Sequence, residues 1–165
     1  MLIRSETPAD YDAIRTILIA AFAHHPYSHQ TEHLIVEALR AANALTLALV
    51  AEVDGQVVGH VAFSSVKING KDCMWFALGP VAVSPNFQRQ GIGQALIKQG
   101  LQSLRNLGAQ GCVLVGDPAY YCRFGFRHNP ALLLEGIPPQ YFLCLQIADQ
   151  TPQGCVTHHS AFSVS

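Results

Sequence analysis

The chain has 165 residues, 50% of them hydrophobic and only 13% charged, with 10 Lys+Arg against 11 Asp+Glu and a formal net charge of −1. A charge content near half the usual ~25% argues for a large core and against disorder, and one domain over 1–165 is the expectation for this length. There is no basic cluster to footprint a nucleic acid or an anionic membrane, and no apolar run approaches the roughly 18–20 residues of a membrane span.

The N-terminus, Met1 to Glu6 followed by Pro8, Asp10 and Asp12, lacks the continuous apolar stretch of a signal peptide and predicts a cytoplasmic protein. Residues 2–5 read as a short strand. Thr7-Pro8-Ala9-Asp10 then reads as a helix start, with Thr7 as N-cap and Pro8 at the first helical position. Ile14, Ile17, Leu18, Ala21 and Phe22 form one apolar face of that helix, which ends near His24-His25-Pro26. A second helix is predicted from Thr31 to Ala42, with Leu34, Ile35, Ala38 and Leu39 as its apolar positions.

From Leu45 the period changes to that of strands. Leu45–Val53, the turn Asp54-Gly55, Gln56–Ile68, the turn Asn69-Gly70 and Cys73–Val83 predict a three-strand antiparallel meander. Gly91–Leu107 reads as a helix with Ile97, Leu101 and Leu104 on one stripe and Gly108 at its end. Cys112–Val115 is a short apolar strand. Asp117-Pro118 predicts an N-cap and first-position proline opening a short helix through Tyr120 and Tyr121 toward Phe124. Two late strands are expected at Phe126–Leu134 and Tyr141–Ile147, so the element order predicts a mixed sheet with helices on both faces.

The stretch from Val81 to Gln94 is a strand, a turn, a Gly-rich loop and a helix start. The first N–H groups of a helix have no internal acceptors and carry the positive end of the macrodipole, so main chain alone can hold a phosphate there. Gly91 and Gly93 would let the ligand approach without a Cβ. The dinucleotide fingerprint Gly-x-Gly-x-x-Gly is broken at Leu96 and no acid falls between Gly93 and Asp117, while no P-loop is present.

Gln88-x-x-Gly91-x-Gly93 after a strand ending Val81-Ala82-Val83-Ser84-Pro85 resembles the acyl-CoA-binding motif of the GNAT N-acetyltransferase superfamily. Tyr121-Cys122-Arg123-Phe124-Gly125-Phe126 matches the Tyr-x-x-x-Gly-Phe of the same superfamily, in the right order and spacing. The stretch 116–126, with Pro138-Pro139-Gln140-Tyr141-Phe142, is similar to its uncharacterised bacterial YhbS-type branch. The resemblance spans nearly the full chain and is most specific over 78–126.

The resemblance implies a three-layer α/β/α fold whose central mixed, mostly antiparallel sheet has about seven strands and a splayed parallel pair. It implies acetyl-CoA as cosubstrate with no metal, and an acceptor amine, on a small molecule or peptide, that attacks the thioester directly. The pantetheine arm would lie along Val81, Ala82 and Val83, and the pyrophosphate on the segment Gln88, Arg89, Gln90, Gly91, Ile92, Gly93 and Gln94. A backbone N–H within 79–81 would polarise the thioester carbonyl. Tyr121 would be the general acid for the departing thiolate, a role open to a phenol, and Tyr120 would pack against the channel or the core. Members are often dimers. Two departures stand out: Asp117 lies four residues before Tyr121 where many members have an asparagine seven before it, shortening the helix by about a turn, and no acid lies on Trp75–Pro80 to act as base. A catalytically silent acyl-CoA sensor is the alternative function, and a dinucleotide oxidoreductase a weaker third.

Five cysteines (73, 112, 122, 144, 155), odd in number and without Cys-x-x-Cys, predict reduced thiols. His25, His29 and His33 recur every four residues, a metal-ligand spacing if they shared one helix, but Pro26 breaks that helix. A substrate-facing or solvated loop is the better reading, with His25 or His29 a candidate base. Cys122 reads as structural rather than nucleophilic, Arg89 as either solvated or phosphate-facing, and Trp75 and Phe76 as core. His158-His159 near Phe162 falls in a tail expected to add an edge strand or to cross a dimer interface.

Overall fold

The computed structural model describes residues 1–149 and 151–164. Strands β1 (Leu2–Ser5), β2 (Leu45–Val53), β3 (Gln56–Ile68), β4 (Lys71–Val83), β5 (Gly111–Val115) and β7 (Phe142–Gln146) follow the order β1-β2-β3-β4-β5-β7. β6 (Leu132–Leu133) pairs with β8 (Gly154–Thr157), and β8 also pairs with β3. Every pairing along the main path is antiparallel except β4 with β5. Among the described residues eight strands stand where about seven were expected. The additional pairing comes from the tail: β8 lies against Lys67 and Ile68.

Helix α1 (Tyr11–Phe22) places Ile14, Ile17 and Leu18 on Val50, Ala62 and Ala82 of the sheet. Helix α3 (Ile92–Asn106) packs Leu96 and Leu101 into the cluster that holds Val61 and Phe63. Alternation along β3 sends residues 60 and 62 to one face and 61 and 63 to the other, which puts α1 and α3 on opposite faces. Gly100 lets α3 come down onto the sheet, since a β-carbon there would overlap the Phe63 ring.

Several expectations need correction. The chain at Pro8–Asp10 is a 3-10 turn before α1 rather than its first α-helical turn, with Thr7 as N-cap and Pro8 at the first position as expected; the Thr7 N–H donates to Asp10 Oδ2 at 2.7 Å, and the Thr7 hydroxyl donates to the same atom at 3.1 Å. In α2 (Glu32–Ala41) the fully buried residues are Val36 and Leu39, while Leu34, Ile35 and Ala38 are half-buried, because the helix sits at the rim of its layer with one stripe inward. Phe126–Leu134 is not a strand. Only an Arg127–Cys144 bridge and the two residues of β6 pair, because Asn129 turns the chain, accepting at Oδ1 from the Ala131 N–H and at its carbonyl from the Leu132 N–H. At the last long strand, Pro139–Tyr141 forms a 3-10 turn, so pairing starts at Phe142 rather than Tyr141.

Candidate active site

The opening that organises the site forms where β4 and β5 part. They pair at Trp75↔Gly111, Phe76↔Cys112 and Ala77↔Val113, and the pairing stops there, while β5 stays joined to β7 as far as Val115↔Phe142. The cause lies in β4: its register on β3 jumps between Leu78↔Phe63 and Val81↔Val61, so Gly79 and Pro80 bulge. A bulge bends its strand and frees its main chain. Pro80 has no N–H, which leaves Gly79 and Val81 as the backbone donors in this segment.

One wall of the opening is the end of β4 with the loop that follows. Val81 and Val83 are half-buried on the α3 side, whereas the Ala82 side chain is buried against α1 and its main chain faces His60 of β3, so Ala82 belongs to the sheet behind the opening rather than to its wall. The Gln88 side-chain amide donates to the Val83 carbonyl at 3.0 Å, tying the loop back to the strand. Arg89 and Gly91 take φ of 64° and 84°, turning the chain sharply into α3. Gly91 is the N-cap of α3 and no side chain caps that end. The N–H groups of Ile92, Gly93 and Gln94 therefore lack intrahelical acceptors. Gln88, Arg89, Gln90 and Gly91 are exposed, Gly93 and Gln94 half-exposed, and the Ile92 side chain buried as a packing anchor.

The other wall is β5 with the short helix α4 (Pro118–Tyr121). Asp117 Oδ1 accepts from the Ala119 N–H at 2.9 Å, as a cap should. A 3-10 turn at Cys122–Phe124 continues α4, and Gly125, at φ 95°, ends it. Tyr121 packs edge-on to Tyr120 and Phe126, with centroids 4.9 and 6.2 Å away. Burial pushes its phenol up to about 12, with Tyr120 adding to the shift. Tyr121 therefore keeps its proton throughout the neutral range.

Other singled-out residues fall elsewhere. Among the described residues no group of three or more His, Cys, Asp or Glu comes together, so His25, His29 and His33 form no such set. His25 accepts from the Tyr27 N–H at 3.3 Å and packs against Phe22. His33 lines a cavity of about 180 Å³ with Leu18 and Phe22, which shares no residue with the β4/β5 opening. Cys122 is exposed rather than buried, with its thiol on the Ala119 carbonyl at 3.5 Å. Trp75 and Phe76 are core. The tail supplies β8 and a 3-10 turn at Ser160–Ser163, where His158 packs on Phe162.

A polar cluster under the helical layer escaped the sequence reading. Glu6 accepts from Arg40 Nε at 3.0 Å and from His60 Nε2 at 2.9 Å, and the Arg40 guanidinium sits 3.8 Å over the Tyr11 ring. Burial pushes the Glu6 carboxyl up, but the His60 and Arg40 hydrogen bonds outweigh it and hold it below the ordinary range. Separations of 34 and 54 residues left no local signal of this cluster.

Residues 44–128 match the acetyltransferase (GNAT) domain family. Over 128 residues the chain is 42% identical to the uncharacterized N-acetyltransferase YhbS of Escherichia coli (strain K12), covering 77% of this chain and 74% of that protein. A GNAT family acetyltransferase from Brucella melitensis, solved in complex with acetyl-CoA, is 52% identical with a TM-score of 0.88 over 98% of this chain and 97% of that one. YhbS from Escherichia coli in complex with CoA is 36% identical with a TM-score of 0.90, covering 99% of this chain and 92% of that one.

Proposed function

The chain belongs to the GNAT acetyltransferase family, and from that premise we propose that residues 1–165 act as one domain transferring an acetyl group from acetyl-CoA to a primary amine of a small molecule or peptide. The observation that carries this reading is the parting of β4 from β5 beyond Ala77↔Val113, directly beside an uncapped α3 N-terminus. A pantetheine arm can pair along Val81 and Val83 in that gap, and the pyrophosphate can take the free N–H groups of Ile92 to Gln94. Gln88 works on the cofactor through the loop it ties to Val83.

The acceptor nitrogen attacks the thioester carbonyl carbon. The C–N bond forms, the oxyanion takes a hydrogen bond from the Gly79 or Val81 N–H, and the C–S bond then breaks as the tetrahedral intermediate collapses. The nitrogen loses its extra proton to water. Tyr121 donates a hydrogen bond to the departing sulfur. With the phenol near 12 and a free thiol near ~8.5, the thiolate is the weaker base. The bond therefore stabilises the sulfur more than it transfers the proton, and the thiol takes its proton from solvent. Much of the acceleration comes from holding amine and thioester together.

The test is calorimetric titration with acetyl-CoA, followed by thiol release across a panel of amines. Binding with release on one amine class is the expected outcome. Binding without release on any amine favours the silent sensor, and no binding overturns the cradle.

A further inference from the structure

Tyr120 reaches across the opening. A β-carbon on Gly93 would stand 3.8 Å from the Tyr120 hydroxyl oxygen and 3.7 Å from Cγ2 of Val83. Tyr120 belongs to the β5 wall and Gly93 to the first turn of α3 on the β4 wall, so this hydroxyl bridges the two walls beside the uncapped helix end. The ring is held from several sides. The Arg123 guanidinium lies 4.4 Å over it, Arg123 Nε donates to the Tyr120 carbonyl at 2.8 Å, and Tyr121 and Phe124 pack on it at 4.9 and 5.7 Å. No described residue takes a hydrogen bond from its hydroxyl, and burial pushes the phenol up against the pull of Arg123, so it is a donor at neutral pH.

We infer that Tyr120 is a second cofactor-facing tyrosine, whose hydroxyl donates to a phosphate oxygen of the cofactor arm held at the N-terminus of α3. This inference rests on the acetyl-CoA reading above. A phosphate taken by the free N–H groups of the first turn comes within reach of a donor poised beside Gly93. The main chain supplies unspecific positive potential there, whereas a phenol fixed by four contacts supplies direction. The two adjacent tyrosines thus divide their work: Tyr121 serves the sulfur end of the cofactor and Tyr120 the phosphate end. Roughly 100° of helical rotation between neighbours separates their directions.

The test compares the wild type with Tyr120→Phe, which keeps every ring contact and loses only the hydroxyl. Each is titrated with CoA, 4′-phosphopantetheine and pantetheine. Loss of one hydrogen bond to a charged group should weaken CoA and 4′-phosphopantetheine about tenfold and leave pantetheine unchanged. In turnover, KM for acetyl-CoA should rise by the same factor with kcat unchanged. Unaltered CoA affinity in Tyr120→Phe, or an equal loss for pantetheine, overturns the assignment. Failure of the wild type to bind CoA would instead overturn the transferase reading itself. A melting temperature equal to that of the wild type confirms that the variant reports on binding rather than folding.

Discussion

The ring of Tyr121 lies over the main chain of Gly116, so close that a β-carbon at 116 would stand 2.5 Å from its Cε2. Gly116 directly follows β5, and Tyr121 ends α4, so the strand's exit and the helix share one contact that sets where the phenol stands. Gly116→Ala keeps the hydroxyl but moves the ring. We expect kcat to fall by about tenfold or more, since a displacement near 1 Å at a reacting centre can cost that much, with KM for acetyl-CoA little changed. Thiol-release kinetics measure both, and an unchanged kcat would remove Tyr121 from the chemistry.

Under the proposed mechanism, Tyr121→Phe would delete the hydrogen bond to the departing sulfur and leave the ring. The expected loss is about 100-fold in kcat, the scale of one donor to developing charge. Acetyl-CoA affinity, read by calorimetry, should stay within about twofold because the bond matters only as charge appears on sulfur.

The Tyr121 phenol is raised to about 12 in the folded protein from about 10 when free. The folded state holds the proton more tightly, so this stabilisation is complete below pH about 10 and is lost as the pH climbs through about 12. Denaturant unfolding of the wild type should therefore show a stability decline over that window that Tyr121→Phe lacks. The rate profile should show no loss from Tyr121 ionisation below pH about 10.

Asp10 shows the opposite sign. Arg4 holds it in a two-pronged pair, Nη1 to Oδ2 at 2.8 Å and Nη2 to Oδ1 at 2.9 Å, and lowers its carboxyl to about 2. Against an ordinary value of about 4, the folded state favours the ionised form, so this stability is present above pH about 4 and disappears toward pH about 2. Acid unfolding followed by circular dichroism should have a shallower slope between those limits in Asp10→Asn, which will also be less stable at pH 7.

At the α3 docking surface, Gly100→Ala would drive a methyl group into the Phe63 ring. Overpacking of this kind costs about 1–3 kcal/mol. The midpoint of urea unfolding should drop accordingly, and Phe63→Leu in the same chain should recover part of it by making room.

The meander, the glycine-led start of α3 and the α4 cap were all legible because their signals are local. Asp54-Gly55 and Asn69-Gly70 supply the left-handed residues that hairpins need, with φ of 51°, 78°, 51° and 75° in turn. Gln88, Gly91 and Gly93 form one short motif and Tyr121 to Phe126 another, each confined to a few neighbouring residues. The stretch after Phe126 misled because its apolar residues suggested a strand, whereas turns at Asn129 and Pro139–Tyr141 divide it.

Sequence alone thus determined the order of elements as far as α4 and, by resemblance, the family, since each depends on residues close along the chain. Only tertiary structure decided the rest, because contacts between distant residues leave no periodic trace. It brought Glu6 to Arg40 and His60 across 34 and 54 residues. It fixed where the splayed pair expected from the resemblance parts, ending the β4/β5 pairing at Ala77↔Val113. It also set the Tyr120 hydroxyl beside Gly93, on the far wall of that opening, where helix α4 and helix α3 meet through the fold and not through the sequence.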